Sequence, residues 1–178
     1  MSLLNLNYFE IFGIEAQITI DIEHLNKKYL TLQSEFHPDK FVNASNLEKS
    51  MATRISTYIN DAYNTLSDLV ERVDYILQIN NYSKEEHTTF KNTNFLTDQM
   101  MLSEKIENAN PSQYKSIQNE ISIEIKTIIL EMQNNLNNRD FDILYENNSM
   151  IKFYKKKFHI IGQFMLHQIM LLKILQKN

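Results

Sequence analysis

Apolar residues recur at intervals of three and four along most of the chain, which predicts amphipathic helices. The first clear helical face is formed by Ile22, Leu25, Tyr29, Leu32 and Phe36. Asp21 stands where an N-cap belongs, and Ile20 and Leu25 are spaced for a hydrophobic staple. Pro38 disfavours helical dihedrals at His37 and has no backbone N–H, so we expect this helix to end there.

A second helix is predicted directly after the proline. Ser45 and Glu48 have the spacing of a capping box, and the apolar positions after them are Ala52, Ile55, Ile59, Ala62, Tyr63 and Leu66. These two helices are expected to pack as an antiparallel hairpin. Two smaller apolar groups flank them, namely Tyr8, Phe9, Ile11 and Phe12 before, and Leu69, Val73, Ile76 and Leu77 after. We therefore predict one compact helical domain over residues 1–79.

A second domain is predicted after a polar junction. The apolar pattern weakens over residues 80–93, where asparagine, serine, lysine and glutamate dominate, so the junction is placed there and a second domain at 94–178. Three helical stretches follow, the second starting at Asn110-Pro111 and the third near Asp140. Their apolar positions are Phe95, Leu96, Met100, Met101, Leu102 and Ile106; then Ile117, Ile121, Ile125, Ile128, Met132 and Leu136; then Phe141, Leu144, Ile151, Tyr154, Phe158, Ile161, Met165 and Leu172. The predicted fold is all-α, a helical hairpin domain joined to an antiparallel three-helix bundle.

Composition excludes several classes of function. The 178 residues include two glycines, Gly13 and Gly162, too far apart for a phosphate-binding loop or a dinucleotide fingerprint. The absence of cysteine removes disulfides, thiol nucleophiles and thiolate metal sites. A net charge of −4 without a long basic block argues against strong non-specific binding of nucleic acid. No cofactor and no nucleic-acid partner are therefore expected.

The chain carries no pattern of a secretion signal or a membrane-spanning segment, so we expect a soluble, cytoplasmic protein without a membrane partner. The late stretch FMLHQIMLLKIL, residues 164–175, is interpreted as the closing helix of the bundle because His167, Gln168 and Lys173 recur within it. A helix lying on a membrane surface is the alternative interpretation of this stretch.

The tripeptide His37-Pro38-Asp39 places an imidazole, a rigid turn and a carboxylate at the predicted tip of the hairpin. Together with NYFEIFGI at 7–14, FHPDKF at 36–41 and INDAYNTLSD at 59–68, in this order, it resembles the J-domain of the co-chaperones that activate DnaK-type ATPases. The stretches RVDYILQI at 72–79 and EEHTTFKNTNFLTDQMML at 85–102, and the direct joining of two helical domains, resemble the J-domain co-chaperone family of iron-sulfur cluster biogenesis.

The resemblance implies an adaptor with two binding ends and no enzyme activity of its own. Its first end engages the ATPase domain of a dedicated DnaK-type chaperone through His37, Pro38 and Asp39. Lysines near the tip would steer an acidic partner surface, and these are Lys27, Lys28 and Lys40. Family members usually carry a further basic residue late in the second helix, where this chain has Ser34 and Glu35, so weaker or more selective docking is expected.

The second end implied by the resemblance binds the scaffold protein on which iron-sulfur clusters are assembled. The family's binding patch mixes apolar and acidic residues, and the positions assigned to it here are Leu96, Met100, Met101, Glu104 and Phe153. Thr97, Met101 and Asn108 stand where the family commonly has Met, Glu and Glu. The apolar contacts are thus kept better than the acidic ones.

Each assignment has an alternative. His37 and Asp39 are also explained as helix caps, Lys27 and Lys28 as a solvated face, and the apolar patch as ordinary bundle core. Lysines 155–157 are interpreted as solvated, with a minor contact to an anionic group as the alternative. Two other functions stay open, a J-domain co-chaperone for a different client and a helical metal-dependent enzyme. Against the enzyme, the remaining histidines, which are His24, His87, His159 and His167, lack metal-ligand spacing.

Overall fold

The computed structural model describes residues 3–82 and 93–175, with side chains described up to residue 167. Contacts divide the chain between Asn81 and Tyr82 into two units, here called the amino-terminal unit and the bundle. All regular elements in the described ranges are helical, which confirms the predicted all-α class. None of the described helices is long and apolar enough to cross a membrane. Most of the predicted junction, residues 83–92, lies outside the described residues.

The amino-terminal unit contains four α-helices and two short 3-10 turns. In chain order these are the turn Leu3–Asn5, α1 Tyr8–Phe12, α2 Ile22–Phe36, the turn Pro38–Phe41, α3 Asn46–Ser67 and α4 Leu69–Ile79. α1 ends at Gly13, which adopts φ +61°, a left-handed conformation that glycine reaches without strain.

Local capping fixes the ends of the hairpin helices. The Asp21 side chain accepts a hydrogen bond from the backbone N–H of His24 at 3.0 Å. As predicted, α2 begins at Ile22, directly after this cap. Ser45 and Glu48 form the predicted capping box at the start of α3, where the Ser45 N–H donates to Glu48 Oε2 at 2.8 Å. Both interactions satisfy backbone donors that the first helical turn leaves open.

The hairpin is held by apolar packing and by a row of polar contacts. Most predicted core positions are buried, among them Phe9, Phe12, Leu25, Ala52, Ile59, Ala62, Leu66, Val73 and Ile76. Ile22 is the exception, because this first residue of α2 is 40% exposed. Between α2 and α3 the Tyr29 hydroxyl donates to Asn60 Oδ1 at 2.9 Å, and the Tyr63 hydroxyl donates to Asn26 Oδ1 at 2.5 Å.

Arg72 of α4 is buried, with 5% of its surface exposed. Its guanidinium donates from Nε and Nη2 to the backbone oxygen of Ile18, at 3.1 and 2.9 Å, and from Nη1 to the backbone oxygen of Leu66. Burial lowers the pKa of Arg72, and the nearby Asp68 carboxylate opposes that shift. The arginine therefore ties the α1–α2 loop to the end of α3.

The bundle contains α5 Thr93–Glu107, a 3-10 turn Pro111–Gln113, α6 Tyr114–Asn138 and α7 Phe141–Leu175. The predicted start at Asn110-Pro111 is the 3-10 turn, and the α-helix proper begins three residues later. Short connections make successive helices antiparallel, so α5 and α7 run in the same direction. The tilted ring contact of Tyr114 and Phe164, with centroids 6.0 Å apart, joins the start of α6 to the late part of α7.

The long helices bury most of the predicted stripes, but α5 does not. Buried residues on α6 and α7 are Ile117, Ile121, Ile128, Met132, Leu144, Ile151, Tyr154 and Ile161, while Phe158 is 39% exposed. Among the side chains of α5 that the structure describes, residues 94–107, Phe95 and Ile106 are the buried ones. The other apolar positions Leu96, Met100 and Met101 are exposed instead, because they lie on other sides of the helix from those two residues.

Candidate functional site

The tip of the hairpin is built by the proline. α2 ends at Phe36, and His37 follows in an extended conformation with φ −61° and ψ 129°. Pro38 then opens a 3-10 turn with the fixed φ that a helical start requires. Within this turn the backbone N–H of Asp39 donates to His37 Nδ1 at 3.3 Å, and that of Lys40 donates to the His37 backbone oxygen at 3.0 Å.

The tip presents its carboxylate to solvent. The Asp39 side chain is 87% exposed and the His37 side chain 54% exposed. His37 Nδ1 accepts the Asp39 N–H and thereby caps the turn. The Asp39 Oδ2 atom lies 3.6 Å from the same nitrogen. The capping alternative therefore describes His37, which caps the turn, but it gives no role to the exposed Asp39 carboxylate.

The lysines near the tip are exposed, but the charge of α2 is balanced. Lys27, Lys28 and Lys40 all lie on the surface. α2 also contains Glu23 and Glu35, so its two lysines and two glutamates sum to zero with His24 neutral. This agrees with the thin positive face expected from the sequence.

Leu30 is an exposed residue of α2 that the sequence analysis missed. It is 65% exposed and lies on the solvent side of the helix, three residues after Lys27 and four before Ser34. Its position outside the apolar stripe of α2 was the signal that could have identified it.

Polar contacts hold the last turns of α2 against α3. Gln33 Nε2 donates to Asn60 Oδ1 at 2.6 Å and to the Ser56 backbone oxygen at 3.3 Å, while the Ser56 hydroxyl donates to Gln33 Oε1 at 3.3 Å. Gln33 stands one turn before the tip. These directional contacts therefore fix the register from which His37, Pro38 and Asp39 project.

The second candidate surface is the outer side of α5. Leu96 and Met101 are each 56% exposed and Met100 is 74% exposed, so the alternative that Leu96 and Met100 are ordinary bundle core is wrong. Glu104 is exposed as well, whereas Phe153 of α7 is half-buried.

Phe153 joins α7 to this side of α5. Its ring meets that of Phe95 edge-on, with centroids 5.7 Å apart. Lys157 lies one turn later on α7, with its ammonium nitrogen 5.4 Å from the centroid of the Phe153 ring. The interpretation of Lys157 as a freely solvated lysine is therefore wrong, since its side chain is half-buried and lies over an aromatic ring.

The four predicted residues on α5 do not all share one side of that helix. Lys105 Nζ meets Glu120 Oε2 of α6 at 2.5 Å, which marks the side of α5 that faces α6. Leu96 stands nine residues earlier, two and a half turns, and so lies on the opposite side. Met100 and Glu104 follow Leu96 at four-residue intervals and stay near it. Met101 stands one turn before Lys105 and is turned towards the α6 side.

The described ranges contain no group of three or more His, Cys, Asp or Glu side chains placed to hold a metal ion. His24 is exposed at the start of α2, while His159 and His167 are exposed on α7. His159 Nε2 lies 2.9 Å from the Gln163 side-chain nitrogen, a contact within α7. His87 lies outside the described residues.

Comparisons with known proteins agree with this architecture. Residues 91–157 match the family described as the HSCB C-terminal oligomerisation domain. The co-chaperone protein HscB homolog of Neisseria meningitidis is 33% identical over 155 residues, which cover 84% of this chain and 93% of that protein. The homolog of Colwellia psychrerythraea is 42% identical over 108 residues, which cover 60% of this chain and only 62% of the relative.

Solved structures show the same fold. The chaperone HscB from Vibrio cholerae superposes with a TM-score of 0.81 at 27% identity, covering 92% of this chain and 99% of that one. Human co-chaperone protein HscB gives a TM-score of 0.80 at 25% identity, covering 89% of this chain and 81% of that one. The chain therefore belongs to the HscB family of co-chaperones.

Proposed function

We propose that this protein is a J-domain co-chaperone of iron-sulfur cluster biogenesis that works in the cytoplasm. Its amino-terminal unit stimulates ATP hydrolysis by a dedicated DnaK-type chaperone, and its bundle binds the cluster scaffold protein and delivers it to that chaperone. The observation that carries the proposal is the exposed His37-Pro38-Asp39 turn at the tip of a hairpin, in a chain of the HscB family.

The tip is suited to activating a partner by docking. The exposed Asp39 carboxylate can accept charge-assisted hydrogen bonds from a partner arginine. Pro38 and the His37 cap hold the turn before the partner arrives, which lowers the ordering cost of binding. Lys27, Lys28 and Lys40 add a modest steering charge. No catalytic group is needed for this role, because the partner supplies the ATPase site.

The bundle is suited to a partner with an apolar contact surface. Leu96 and Met100 expose apolar side chains on the side of α5 turned away from α6, and Phe153 of α7 adds an aromatic ring that contacts Phe95, the residue before Leu96. Aromatic and apolar anchors of this kind supply most of the binding energy in protein interfaces. Glu104 continues the same side with a carboxylate, and Met101 lies at its edge.

The first experiment measures steady-state ATP hydrolysis by the cognate DnaK-type chaperone, with and without this protein and with and without scaffold. Asp39→Asn should remove at least about 90% of the stimulation, because a neutral amide cannot form the charge-assisted contact. Asp61→Asn is the matched control, since it makes the same change of charge on the exposed surface of α3, far along the helix from the tip. That control should stimulate as well as the parent protein.

The scaffold should amplify the stimulation through the bundle. Met100→Ala should reduce this amplification and leave the scaffold-independent stimulation unchanged. Full stimulation by Asp39→Asn would remove the assigned role of the tip. Stimulation that is indifferent to scaffold would keep the J-domain activity and assign the chain to a different client, which is the second candidate function.

A further inference from the structure

We propose that the scaffold-binding side of the bundle carries a basic rim at Lys157, and that the partner surface docking there is apolar with a carboxylate beside it. This inference rests on the proposed function and specifies the chemistry of the partner. It concerns one interface, formed by Leu96 and Met100 of α5 with Phe153 and Lys157 of α7, here called the rimmed patch.

Because α5 and α7 run parallel, these residues lie level with one another, that is, at similar heights along the bundle axis. The Phe95 ring contacts both Phe153 and Tyr154, with centroids 5.7 and 6.0 Å apart, so these positions are level across the two helices. At about 1.5 Å of rise per residue, Met100 lies about 7.5 Å along α5 from Phe95, and Lys157 lies about 6 Å along α7 from Phe153. Lys157 is therefore level with Met100.

The Lys157 side chain is positioned by a contact with the Phe153 ring. Its ammonium nitrogen lies 5.4 Å from the centroid of the Phe153 ring, and its side chain is half-buried. Ring faces attract cations electrostatically. Among the described residues no carboxylate forms an ion pair with Lys157, so its charge is available to a partner.

Acidic residues on the same side of α5 lie further along the helix. Glu104 and Glu107 stand one and nearly two turns beyond Met100, away from the level of Lys157. Lys156, which is exposed and adjacent to Lys157, adds a second positive charge near that level. The carboxylates of Asp98 and Glu124 act on the neighbouring Tyr154, so the positive charge of the rimmed patch is local to Lys156 and Lys157.

An apolar partner that covers Phe153 and Met100 must also remove water from the neighbouring ammonium group of Lys157. Such desolvation is unfavourable unless the partner supplies an acceptor. A carboxylate is the matching group, because it restores the hydrogen bonds and neutralises the charge. The scaffold surface that fits here therefore combines apolar side chains with at least one Asp or Glu.

The test is a titration of the full-length protein with scaffold, by calorimetry, at about 50 mM and about 500 mM salt, where screening differs strongly. Lys157→Glu should weaken binding ~10-fold at low salt and Lys157→Met ~3-fold, because a rim charge acts mainly through long-range electrostatics. Both differences should shrink at high salt. Lys157→Arg keeps the charge and should bind as the parent does.

Lys126→Glu is the charge-matched control, because Lys126 is exposed on α6, six residues after Glu120 and so well round the helix from the α5-facing side. It should leave the affinity unchanged. Circular dichroism confirms that each variant remains helical.

Two failures are distinguishable. If Phe153→Ala weakens binding but Lys157→Glu binds as tightly as the parent at low salt, the basic rim is wrong and the proposed function stands. If the scaffold does not bind the parent protein at either salt concentration, the proposed function is wrong and this inference falls with it. Equal weakening by Lys157→Glu and Lys126→Glu would also overturn the inference, because the effect would then be general rather than local.

Discussion

The two units bury polar groups in different ways. In the amino-terminal unit the buried Arg72 donates to two backbone oxygens and the buried Ser56 hydroxyl donates to Gln33. In the bundle, Gln118 makes only a 3.4 Å contact with the Phe158 backbone oxygen, and the buried Asn147 Nδ2 atom has no hydrogen-bond partner. The buried Arg72 and Ser56 of the amino-terminal unit are therefore well satisfied, whereas Gln118 and Asn147 of the bundle are poorly satisfied.

This difference matches what each unit presents. The amino-terminal unit displays three consecutive residues, His37, Pro38 and Asp39, whose usefulness depends on their orientation. Directional polar bonds specify one register and so fix that orientation. The bundle displays apolar side chains and a rim charge, and these tolerate small shifts because apolar burial is non-directional. Each unit's means of folding therefore suits its proposed means of binding.

The largest expected effect comes from removing the buried hydrogen bonds of Arg72 in the amino-terminal unit. Arg72→Met keeps much of the side-chain volume but leaves the backbone oxygens of Ile18 and Leu66 without these donors. Unsatisfied buried groups are costly, so the free energy of unfolding of this unit should fall by about 3 kcal/mol. Hydrogen exchange of amides in α3 and α4 measures the loss, and amides of the bundle report whether it stays confined to one unit.

Gln118→Met is the matched change in the bundle, because it also replaces a buried polar side chain by methionine. Its single long contact goes to a helix backbone oxygen that already accepts within α7, so the change should lower stability by less than about 1 kcal/mol. Equal losses in the two variants would contradict the contrast between the units.

The next effect concerns binding. Phe153→Ala removes the aromatic ring of the rimmed patch and should weaken scaffold affinity by about 30-fold, or about 2 kcal/mol, as for a central interface anchor. Phe164→Ala is the control, because Phe164 is a 43% exposed phenylalanine of the same helix, eleven residues further along. Calorimetric titration should give parent-like affinity for this control. ATPase stimulation measured without scaffold should be unchanged in both variants.

The sequence predicted the amino-terminal unit well because its signals are local. The cap at Asp21, the capping box of Ser45 and Glu48, and the break at Pro38 each act within one turn, and the structure has them where predicted. The burial of Arg72 could not be predicted in this way. It depends on backbone oxygens at Ile18 and Leu66, which are brought together only by the folded unit.

The bundle was predicted less well in α5. Apolar residues occupy both the inward and outward sides of that helix, so periodicity alone does not identify the inward side. The assignment of Leu96, Met100 and Met101 to a binding patch came from the family resemblance instead. The Phe153–Lys157 contact follows from i, i+4 spacing, but three consecutive lysines favoured the interpretation of a solvated run. Which residues of α5 and α7 share a surface depends on the direction of both helices, which is a tertiary property.

A smaller expected effect tests the bundle's tolerance of buried polar groups. Asn147→Leu replaces an amide, whose nitrogen has no partner, by an apolar side chain of similar shape. The bundle should gain about 1 kcal/mol of stability, because the unsatisfied amide no longer has to be desolvated. Chemical denaturation of the parent and the variant measures the gain. A loss of stability would show that the Asn147 side chain makes a stabilising contact. The contrast between the two units would then be wrong at this residue.

The smallest effect appears at high pH. Burial, together with the carboxylates of Glu124 and Asp98, raises the pKa of Tyr154 from 10.0 to about 12. The folded state therefore favours the neutral phenol, and this stability is present below pH 10 and lost as the pH rises towards 12. Tyr154→Phe removes the ionisable group and keeps the ring contacts with Phe95 and Phe153.

At pH 8 the parent and the phenylalanine variant should melt at similar temperatures. At pH 11 the variant should be the more stable by no more than about 1 kcal/mol, because at that pH the phenol ionises in the unfolded chain but stays mostly neutral in the folded bundle. Thermal melts at both pH values cancel the effects of lysine titration, which both proteins share. A difference that stays constant from pH 8 to 11 would mean that Tyr154 ionises as easily in the folded bundle as in the unfolded chain. The apolar packing around this ring would then admit water.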